Sequence, residues 1–167
     1  GYNTDIVGVA SAFQGVEIEN KKVLILGAGG AARAISYHLA KEKGQLYCCD
    51  RTLAKAAEML KQFGGQAMEG PEIKNTNFDI IVNTTPLGMY PKIDQSPLEN
   101  YTFQAGQIVF DAIYNPRETK LLRQAREAGA KTISGMEMFI GQALEQIRLF
   151  SGQTFPSEAA RKILENK

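Results

Sequence analysis

Six consecutive small residues near the start of the chain could bind a phosphate group. They follow a short apolar run, residues 23–26, and are Gly27, Ala28, Gly29, Gly30, Ala31 and Ala32. Glycine at the first position permits a tight turn, and glycine at the third leaves the backbone open to a phosphate oxygen. The amides that begin the alanine-rich helix after the turn have no intrahelical acceptors, so they favour a bound anion. This pattern is typical of a dinucleotide-binding turn.

A second polar group follows the next apolar run, residues 46–49. Asp50 lies about 20 residues after the turn, where a dinucleotide-binding unit places the residue that faces the adenosine ribose. A carboxylate accepts hydrogen bonds from ribose hydroxyls and favours NAD, whereas Arg51 and Lys55 offer cations to a 2′-phosphate and favour NADP. We give Arg51 more weight, because arginine pairs bidentately with phosphate and stacks on adenine. Two alternatives stay open: the cations are solvated residues of a helix start, or the turn binds S-adenosylmethionine.

The hydrophobic pattern predicts the elements that position these residues. Strands are expected at 23–26, 46–49, 66–68, 79–83, 108–112 and 131–134, and helices at 4–15, 31–39, 53–63, 118–128, 136–150 and 157–166. Asn3 or Thr4 is expected to cap the first helix, and Gly15 to end it. Strands that alternate with helices or crossovers predict an α/β fold. We predict one Rossmann-type domain over residues 1–167, with a doubly wound six-stranded parallel sheet of order 3-2-1-4-5-6 in three αβα layers.

Composition excludes several classes of protein. The chain has 19 basic and 18 acidic residues and a net charge of +1, which gives no electrostatic reason to expect nucleic acid or an anionic membrane as a partner. No apolar run approaches the ~20 residues that span a bilayer. Cys48 and Cys49 are neighbours on a predicted strand and point to opposite faces, so we expect buried thiols rather than a disulfide. Reduced cysteines favour a cytoplasmic protein, and no metal site is expected.

Several stretches together resemble the shikimate dehydrogenase family. They are residues 1–5, 27–32, 50–52, 83–89, 111–116 and 135–138, followed by Gln142. Members of that family reduce 3-dehydroshikimate to shikimate with NADPH, in aromatic amino-acid biosynthesis. The resemblance implies that residues 27–31 bind the pyrophosphate of NADP and that Arg51, Thr52 and Lys55 bind its 2′-phosphate. It also implies contacts with the nicotinamide half from Thr84, Ala112, Gly135 and Met138.

The same resemblance implies a substrate site formed by Asp5, Tyr114 and Gln142. Asp5 resembles the aspartate that forms a catalytic pair with a lysine, and such a pair can orient the donor that protonates the carbonyl oxygen as hydride arrives. From position alone, Asp5 is explained as a first-turn carboxylate that the helix dipole stabilises. Tyr114 could equally be sheet-edge packing, Gln142 a helix-surface residue, and residues 83–89 an ordinary loop.

Two departures from the family pattern affect these expectations. Asp50 replaces the usual asparagine, which admits NAD and keeps a quinate/shikimate dehydrogenase open. The family's amino-terminal domain, with its catalytic lysine and substrate-binding serines, is absent from a chain that starts at Gly1 without an initiator methionine. We therefore expect a fragment that binds cofactor without turnover, with helices in 1–15 and 136–167 packing against the missing domain. A non-catalytic dinucleotide-binding module and any oligomeric state also stay open.

Overall fold

One parallel sheet of six strands organises the chain. The structure is a computed structural model that describes residues 3–165, except for the side chain of Glu165. The strands are β1 (Lys22–Leu26), β2 (Gln45–Cys49), β3 (Gln66–Ala67), β4 (Ile80–Asn83), β5 (Ile108–Asp111) and β6 (Lys131–Ser134). Their order in the sheet is β3-β2-β1-β4-β5-β6 and all pairs are parallel, which confirms the predicted doubly wound topology.

Six α-helices and one 3₁₀ helix cover the two faces of this sheet. They are α1 (Thr4–Ala12), α2 (Gly30–Lys41), α3 (Leu53–Phe63), the 3₁₀ helix Gly70–Asn75, α4 (Lys120–Glu127), α5 (Gly135–Ser151) and α6 (Ser157–Glu165). Within β1, Val23 and Ile25 join the apolar cluster under α1, α2 and α3, whereas Leu24 and Leu26 join the cluster under α4 and the 3₁₀ helix. Alternate residues of a strand face opposite sides, so a strand buried on both faces is apolar throughout. The three-layer prediction is confirmed.

Several element boundaries differ from the sequence prediction by one to three residues, among them those of helices α1 and α4. Helix α1 ends at Ala12 rather than at Gly15, and residues 13–15 continue it as turns. Phe13, its C-cap, packs in the core with its ring centroid 5.2 Å from that of Phe110. Helix α4 begins at Lys120 rather than at residue 118, because Thr119 caps it and accepts a hydrogen bond from the Leu122 amide. Asn3 caps α1, as one of the two predicted alternatives.

One short helix was not predicted, and parts of two predictions lie outside the described residues. The 3₁₀ helix, with a capping box between Glu69 and Glu72, was not predicted, because two turns of three residues each are too short to give a periodic signal. Gly1 and Tyr2 of the first motif, and the predicted helix end at Asn166, lie outside the described residues. Among residues 3–165, no helix is long and apolar enough to span a bilayer, and no three metal-binding side chains form a group.

The two adjacent cysteines occupy different environments. Both are free thiols, as predicted. Cys48 is buried, and burial raises the pKa of its thiol to about 12. Cys49 is only partly buried and lines a cleft, which corrects the expectation of two buried thiols. Burial also raises the pKa of the Cys49 thiol, and Asp50 adds to that effect, so neither cysteine is disposed to act as a nucleophile.

Candidate cofactor and substrate site

The glycine turn joins β1 to α2 at the carboxyl edge of the sheet. The Gly27 amide donates to the Cys49 carbonyl at 2.8 Å, and Gly27 has a φ of +96°. A Cβ atom there would lie 2.7 Å from Thr84 Oγ1, so glycine is required for the fold. Gly29 differs: it caps α2 with extended backbone, and a Cβ atom there would meet no protein atom within 4 Å. The open space at Gly29 fits a ligand that approaches the helix start.

Asp50 connects the glycine turn to the end of β2. Its Oδ2 atom accepts from the Ala28 amide at 3.2 Å, and its Oδ1 atom accepts from the Thr52 amide at 2.8 Å. Arg51, Thr52 and Lys55 are exposed beside it, at the start of α3. Across residues 3–165, neither Arg51 nor Lys55 takes part in an ion pair. Both cations are therefore available to an anion at this end of the site.

Two adjoining clefts run along the carboxyl edge of the sheet. The larger, of about 690 Å³, contains the glycine turn, Asp50 and Arg51 on one side and residues 84–87 with Lys92 on the other. The smaller, of about 410 Å³, contains Ala31, Ala112 and Tyr114. Residues 84–86 line both clefts. An elongated ligand could therefore extend from Arg51 past Thr84 to Tyr114, as ligands do at the strand ends of open α/β sheets.

Gly135 and Met138 lie behind these clefts rather than on their walls. A Cβ atom at Gly135 would overlap the Ala112 carbonyl, so Gly135 lets α5 start directly beneath the loop that follows β5. The Met138 side chain is 6% exposed and packs near Gly8 of α1. Neither residue lines either cleft. Their role as cofactor contacts stays a prediction.

Asp5 and Gln142 meet where α1 crosses α5. Gln142 Nε2 donates to Asp5 Oδ1, and one turn further along α5, Gln146 Nε2 donates to Thr4 Oγ1 at 3.2 Å. The backbones come close because small residues face each other: a Cβ atom at Gly8 would lie 2.5 Å from the Met138 carbonyl oxygen. The helix crossing thus brings together two residues that are far apart in the sequence and that the resemblance places at the substrate.

Tyr114 lines the smaller cleft and stacks on Phe139. Their ring centroids are 4.9 Å apart, with an angle of 23° between the planes. Phe139 and Gln142 lie three residues apart on α5, so they share one face of the helix. One helix therefore positions both Tyr114 and Asp5. Sequence reasoning missed Phe139, because this contact depends on where the loop after β5 lies in space.

A buried polar network was also missed. Asn83, Asp111 and Thr119 are each fully buried, at the ends of β4 and β5 and at the cap of α4. Asn83 Nδ2 donates to Asp111 Oδ1 at 3.0 Å, and Thr119 Oγ1 donates to Asp111 Oδ2 at 2.6 Å. Burial raises the pKa of Asp111 to about 6, although these hydrogen bonds oppose the shift. The only sequence signal was a polar residue at the end of each of two apolar strands.

The fold defines a Rossmann-type domain with two adjoining clefts at the carboxyl edge of its sheet. A family model described as "Shikimate / quinate 5-dehydrogenase" matches residues 9–137, and one described as "Shikimate 5'-dehydrogenase C-terminal domain" matches residues 135–165. The chain belongs to the shikimate dehydrogenase family, as the sequence resemblance predicted.

Individual relatives agree with this membership. Shikimate dehydrogenase (NADP(+)) of Methanosarcina acetivorans is 38% identical over 174 residues, which cover 97% of this chain and 62% of the relative. The crystal structure of the Aquifex aeolicus shikimate dehydrogenase has a TM-score of 0.87 and 35% identity, over 97% of this chain and 60% of that one. The Listeria monocytogenes enzyme, solved with shikimate and NAD, has a TM-score of 0.87 and 26% identity, over 98% and 63%. The chain thus spans about three fifths of these relatives.

Proposed function

We propose that this chain is the carboxyl-terminal, NADP(H)-binding domain of a shikimate dehydrogenase. The complete protein would reduce 3-dehydroshikimate to shikimate with NADPH, in aromatic amino-acid biosynthesis. The observation that carries the proposal is the single cleft that joins the open glycine turn at Gly29 to the available cation of Arg51. The M. acetivorans relative is named for NADP(+), and the Listeria enzyme was solved with shikimate, which supports both parts of the proposal.

The proposed cofactor contacts follow the cleft from end to end. Amides of residues 27–31 would bind the pyrophosphate, helped by the dipole of α2. Arg51, Thr52 and Lys55 would bind the 2′-phosphate, and Thr84 with Ala112 would line the pocket for the nicotinamide ring. When bound, NADPH supplies the hydride. The chain's own contribution here is to orient the ring between the loops that follow β4 and β5.

The proposed substrate contacts lie beside the smaller cleft. Gln142 fixes the Asp5 carboxylate by donating to it, and Tyr114 is steadied by its stack on Phe139. Asp5 would orient and charge-balance the lysine that the family resemblance implies. That pair would donate a proton to the substrate's carbonyl oxygen, where negative charge develops.

The remaining two fifths of the relatives' length would supply the rest of the active site. Phe150, Phe155 and Ile163 are 91%, 51% and 66% exposed near the end of the described residues. Exposed large apolar side chains mark contact surfaces when they form a patch. We propose that α5, α6 and the segment between them present these three to a substrate-binding domain of the complete protein. The cytoplasmic location stays a prediction, with the two free thiols in its favour.

The isolated chain is expected to bind cofactor without turnover. Residues 1–167 contain no lysine in a motif that matches the family's catalytic one, so the proposed proton donor is missing. A purified 167-residue chain should therefore show no NADP-dependent oxidation of shikimate above background in a spectrophotometric assay. Robust turnover would contradict the proposal that catalysis needs a further domain.

A quinate/shikimate dehydrogenase that uses NAD is the second candidate, and Asp50 favours it. Its carboxylate is fixed by the Ala28 and Thr52 amides at the entrance to the ribose region. A fixed negative charge there repels a 2′-phosphate and accepts hydrogen bonds from free ribose hydroxyls. The proposal for NADP therefore requires that the attraction of the 2′-phosphate to Arg51 exceed its repulsion by Asp50.

Titration calorimetry with NADPH and with NADH measures this balance. We expect the wild-type chain to bind NADPH more tightly. Arg51→Ala should weaken the binding of NADPH ~10- to 100-fold, because a charge-assisted hydrogen bond of about 1.5–3 kcal/mol is lost. The affinity for NADH, which has no 2′-phosphate, should change little. Asp50→Asn should raise the affinity for NADPH relative to that for NADH.

Arg123→Ala is the matched control, since it removes an exposed arginine from α4. It should leave both affinities unchanged. Equal or tighter binding of NADH by the wild type would favour the NAD-dependent candidate. Binding of neither dinucleotide would contradict both.

A further inference from the structure

Three buried polar side chains, at the ends of β4 and β5 and at the cap of α4, form a continuous hydrogen-bonded network. Asp111 Oδ1 accepts from Asn83 Nδ2 at 3.0 Å and from the Ile113 amide at 3.1 Å, and its Oδ2 atom accepts from Thr119 Oγ1 at 2.6 Å. Thr119 Oγ1 in turn accepts from the Leu122 amide at 3.3 Å. We call Asn83, Asp111 and Thr119 the Asp111 network.

The network continues into the loop that follows β4. Asn83 Oδ1 accepts from the Thr85 amide at 2.9 Å and from Thr85 Oγ1 at 2.7 Å, while Asn83 Nδ2 also donates to the Leu87 carbonyl at 3.3 Å. Gly88, with a φ of +105°, lies against Thr119, whose Cβ atom would be 3.3 Å from an added Cβ. Both ends of the loop thus contact members of the network.

These contacts act where the sheet no longer holds the backbone. The last bonds of sheet type run from the Thr84 amide to the Leu26 carbonyl and from the Ala112 amide to the Asn83 carbonyl. Beyond them, residues 84–87 line the larger cleft, and residues 112–114 line the smaller one. The Asp111 network therefore connects the two loops that enclose the proposed cofactor.

Within residues 3–165, the Asp111 carboxylate takes part in no ion pair. The groups that face it are Asn83 from β4, Thr119 from the start of α4 and the Ile113 amide from its own loop, and none of them ionises. A buried carboxylate without a counter-ion costs stability, and three donated hydrogen bonds offset only part of that cost. An apolar side chain would bring no charge to be buried, but it would leave these three donors without a partner.

We propose that Asp111 is a positioning residue for cofactor binding: through Asn83, Ile113 and Thr119, its carboxylate fixes the loops 84–89 and 112–114 in the geometry that the cofactor requires. This inference rests on the proposed function. Asp111, Asn83 and Thr119 line neither cleft. The carboxylate therefore acts through Ile113, which lines the smaller cleft, and through Thr85 and Leu87, which bond to Asn83 and line the larger one.

The proposal implies a pH dependence of cofactor binding. Burial raises the pKa of Asp111 to about 6 from its ordinary 3.8. A proton on Oδ1 would face the N–H groups of Asn83 and Ile113 and disrupt the hydrogen bonds that they donate. A proton on Oδ2 would in the same way disrupt the hydrogen bond that the Thr119 hydroxyl donates. The loops should therefore lose order, and affinity should fall, as the pH drops through about 6.

Fold stability should change in the opposite direction. Between about pH 4 and pH 6 the folded chain binds a proton at Asp111 that the unfolded chain has lost. The contribution of this group to stability is therefore greatest below pH 4 and is lost as the pH rises through 6. An asparagine at this position resembles the protonated acid at every pH. Asp111→Asn should thus fold at least as stably as the wild type at pH 7.5 and yet bind cofactor less tightly, a combination that a purely structural role would not produce.

The test measures NADPH affinity by calorimetry from pH 5 to 8, together with amide hydrogen exchange of the cofactor-free chain. In Asp111→Asn we expect affinity at pH 7.5 to fall by ~tenfold or more, with no inflection near pH 6, and faster exchange in residues 84–89 and 112–114. NADPH carries a phosphate that titrates in the same range, so each variant is compared with the wild type at equal pH. The matched control is Asp79→Asn, which changes an exposed aspartate that accepts from the Lys22 amide at 2.8 Å, at the opposite edge of the sheet.

The possible outcomes separate the two proposals. If Asp111→Asn had the same NADPH affinity, pH profile and loop exchange as the wild type, the positioning role would be overturned. If the wild type binds no NADPH at any pH, the proposed function fails, while exchange in the cofactor-free chain still tests whether the network orders the loops. Should Asp111→Asn not fold, Thr119→Val should give the same loss of affinity and Thr119→Ser should restore it. Equal affinities in that pair would overturn the proposal.

Discussion

Gly29→Val is expected to weaken NADPH binding more than ~100-fold while leaving the fold almost unchanged. The valine side chain would occupy the space through which the pyrophosphate reaches the amides of α2. The protein itself has no need of glycine there: φ is −87°, ψ is −165°, and a Cβ atom would meet nothing within 4 Å. A less favourable helix cap costs at most about 1 kcal/mol, or a fall in Tm of ~2–4 °C. Calorimetry and thermal unfolding of the cofactor-free chain measure the two effects.

Gly27→Ala is the informative comparison, because it should destabilise the fold of the cofactor-free chain, whereas Gly29→Val should not. Its backbone has positive φ, and its Cβ atom would lie 2.7 Å from Thr84 Oγ1. Unfolding at a clearly lower temperature is therefore expected for Gly27→Ala but not for Gly29→Val. If Gly29→Val bound NADPH within tenfold of the wild type, the cleft at the glycine turn would not be the cofactor site.

The sheet could be predicted because the few residues of each central strand indicate whether its two faces are buried. Residues 23–26 and 80–82 are apolar without a break, which is typical of parallel strands buried on both faces. Glycine and proline mark the ends of most elements. The boundaries that failed coincide with tertiary contacts: Phe13, the C-cap of α1, packs against Phe110, and Thr119, the N-cap of α4, also bonds to Asp111.

The candidate site could be inferred from the sequence only where one short segment contains the residues proposed to bind the cofactor. The glycine turn and residues 50–55 are local patterns with a defined spacing. The Asp111 network is not local: Asn83 and Asp111 become neighbours only through the register of β4 and β5. The stack of Tyr114 on Phe139 likewise needs the position of α5 beneath the loop after β5. Contacts of this kind depend on strand order and helix crossing, which no single stretch of sequence specifies.

Gly8→Ala is expected to be among the most destabilising single-methyl changes in the chain. An added Cβ atom would lie 2.5 Å from both the Met138 carbonyl oxygen and Gln142 Cγ, and across the same crossing Gly141 lies against Ser11. Helices α1 and α5 must therefore move apart. Overpacking of this kind costs about 1–3 kcal/mol, which corresponds to a fall in Tm of ~2–12 °C for a chain of this length. Thermal unfolding by circular dichroism measures it.

Gly30→Ala supplies the control, since it adds the same methyl group to a helix where nothing lies within 4 Å. Alanine is the better helix former by up to about 1 kcal/mol, so this variant should unfold at the same or a higher temperature. The difference between the two variants then isolates the close approach of α1 and α5 from helix propensity. Because that approach lets Gln142 reach Asp5, Gly8→Ala should also break this hydrogen bond, visible by NMR as a changed Gln142 side-chain amide signal. An unchanged Tm and an unchanged amide signal would mean that α1 does not lie against α5 in solution, and the proposed Asp5 site would fail with it.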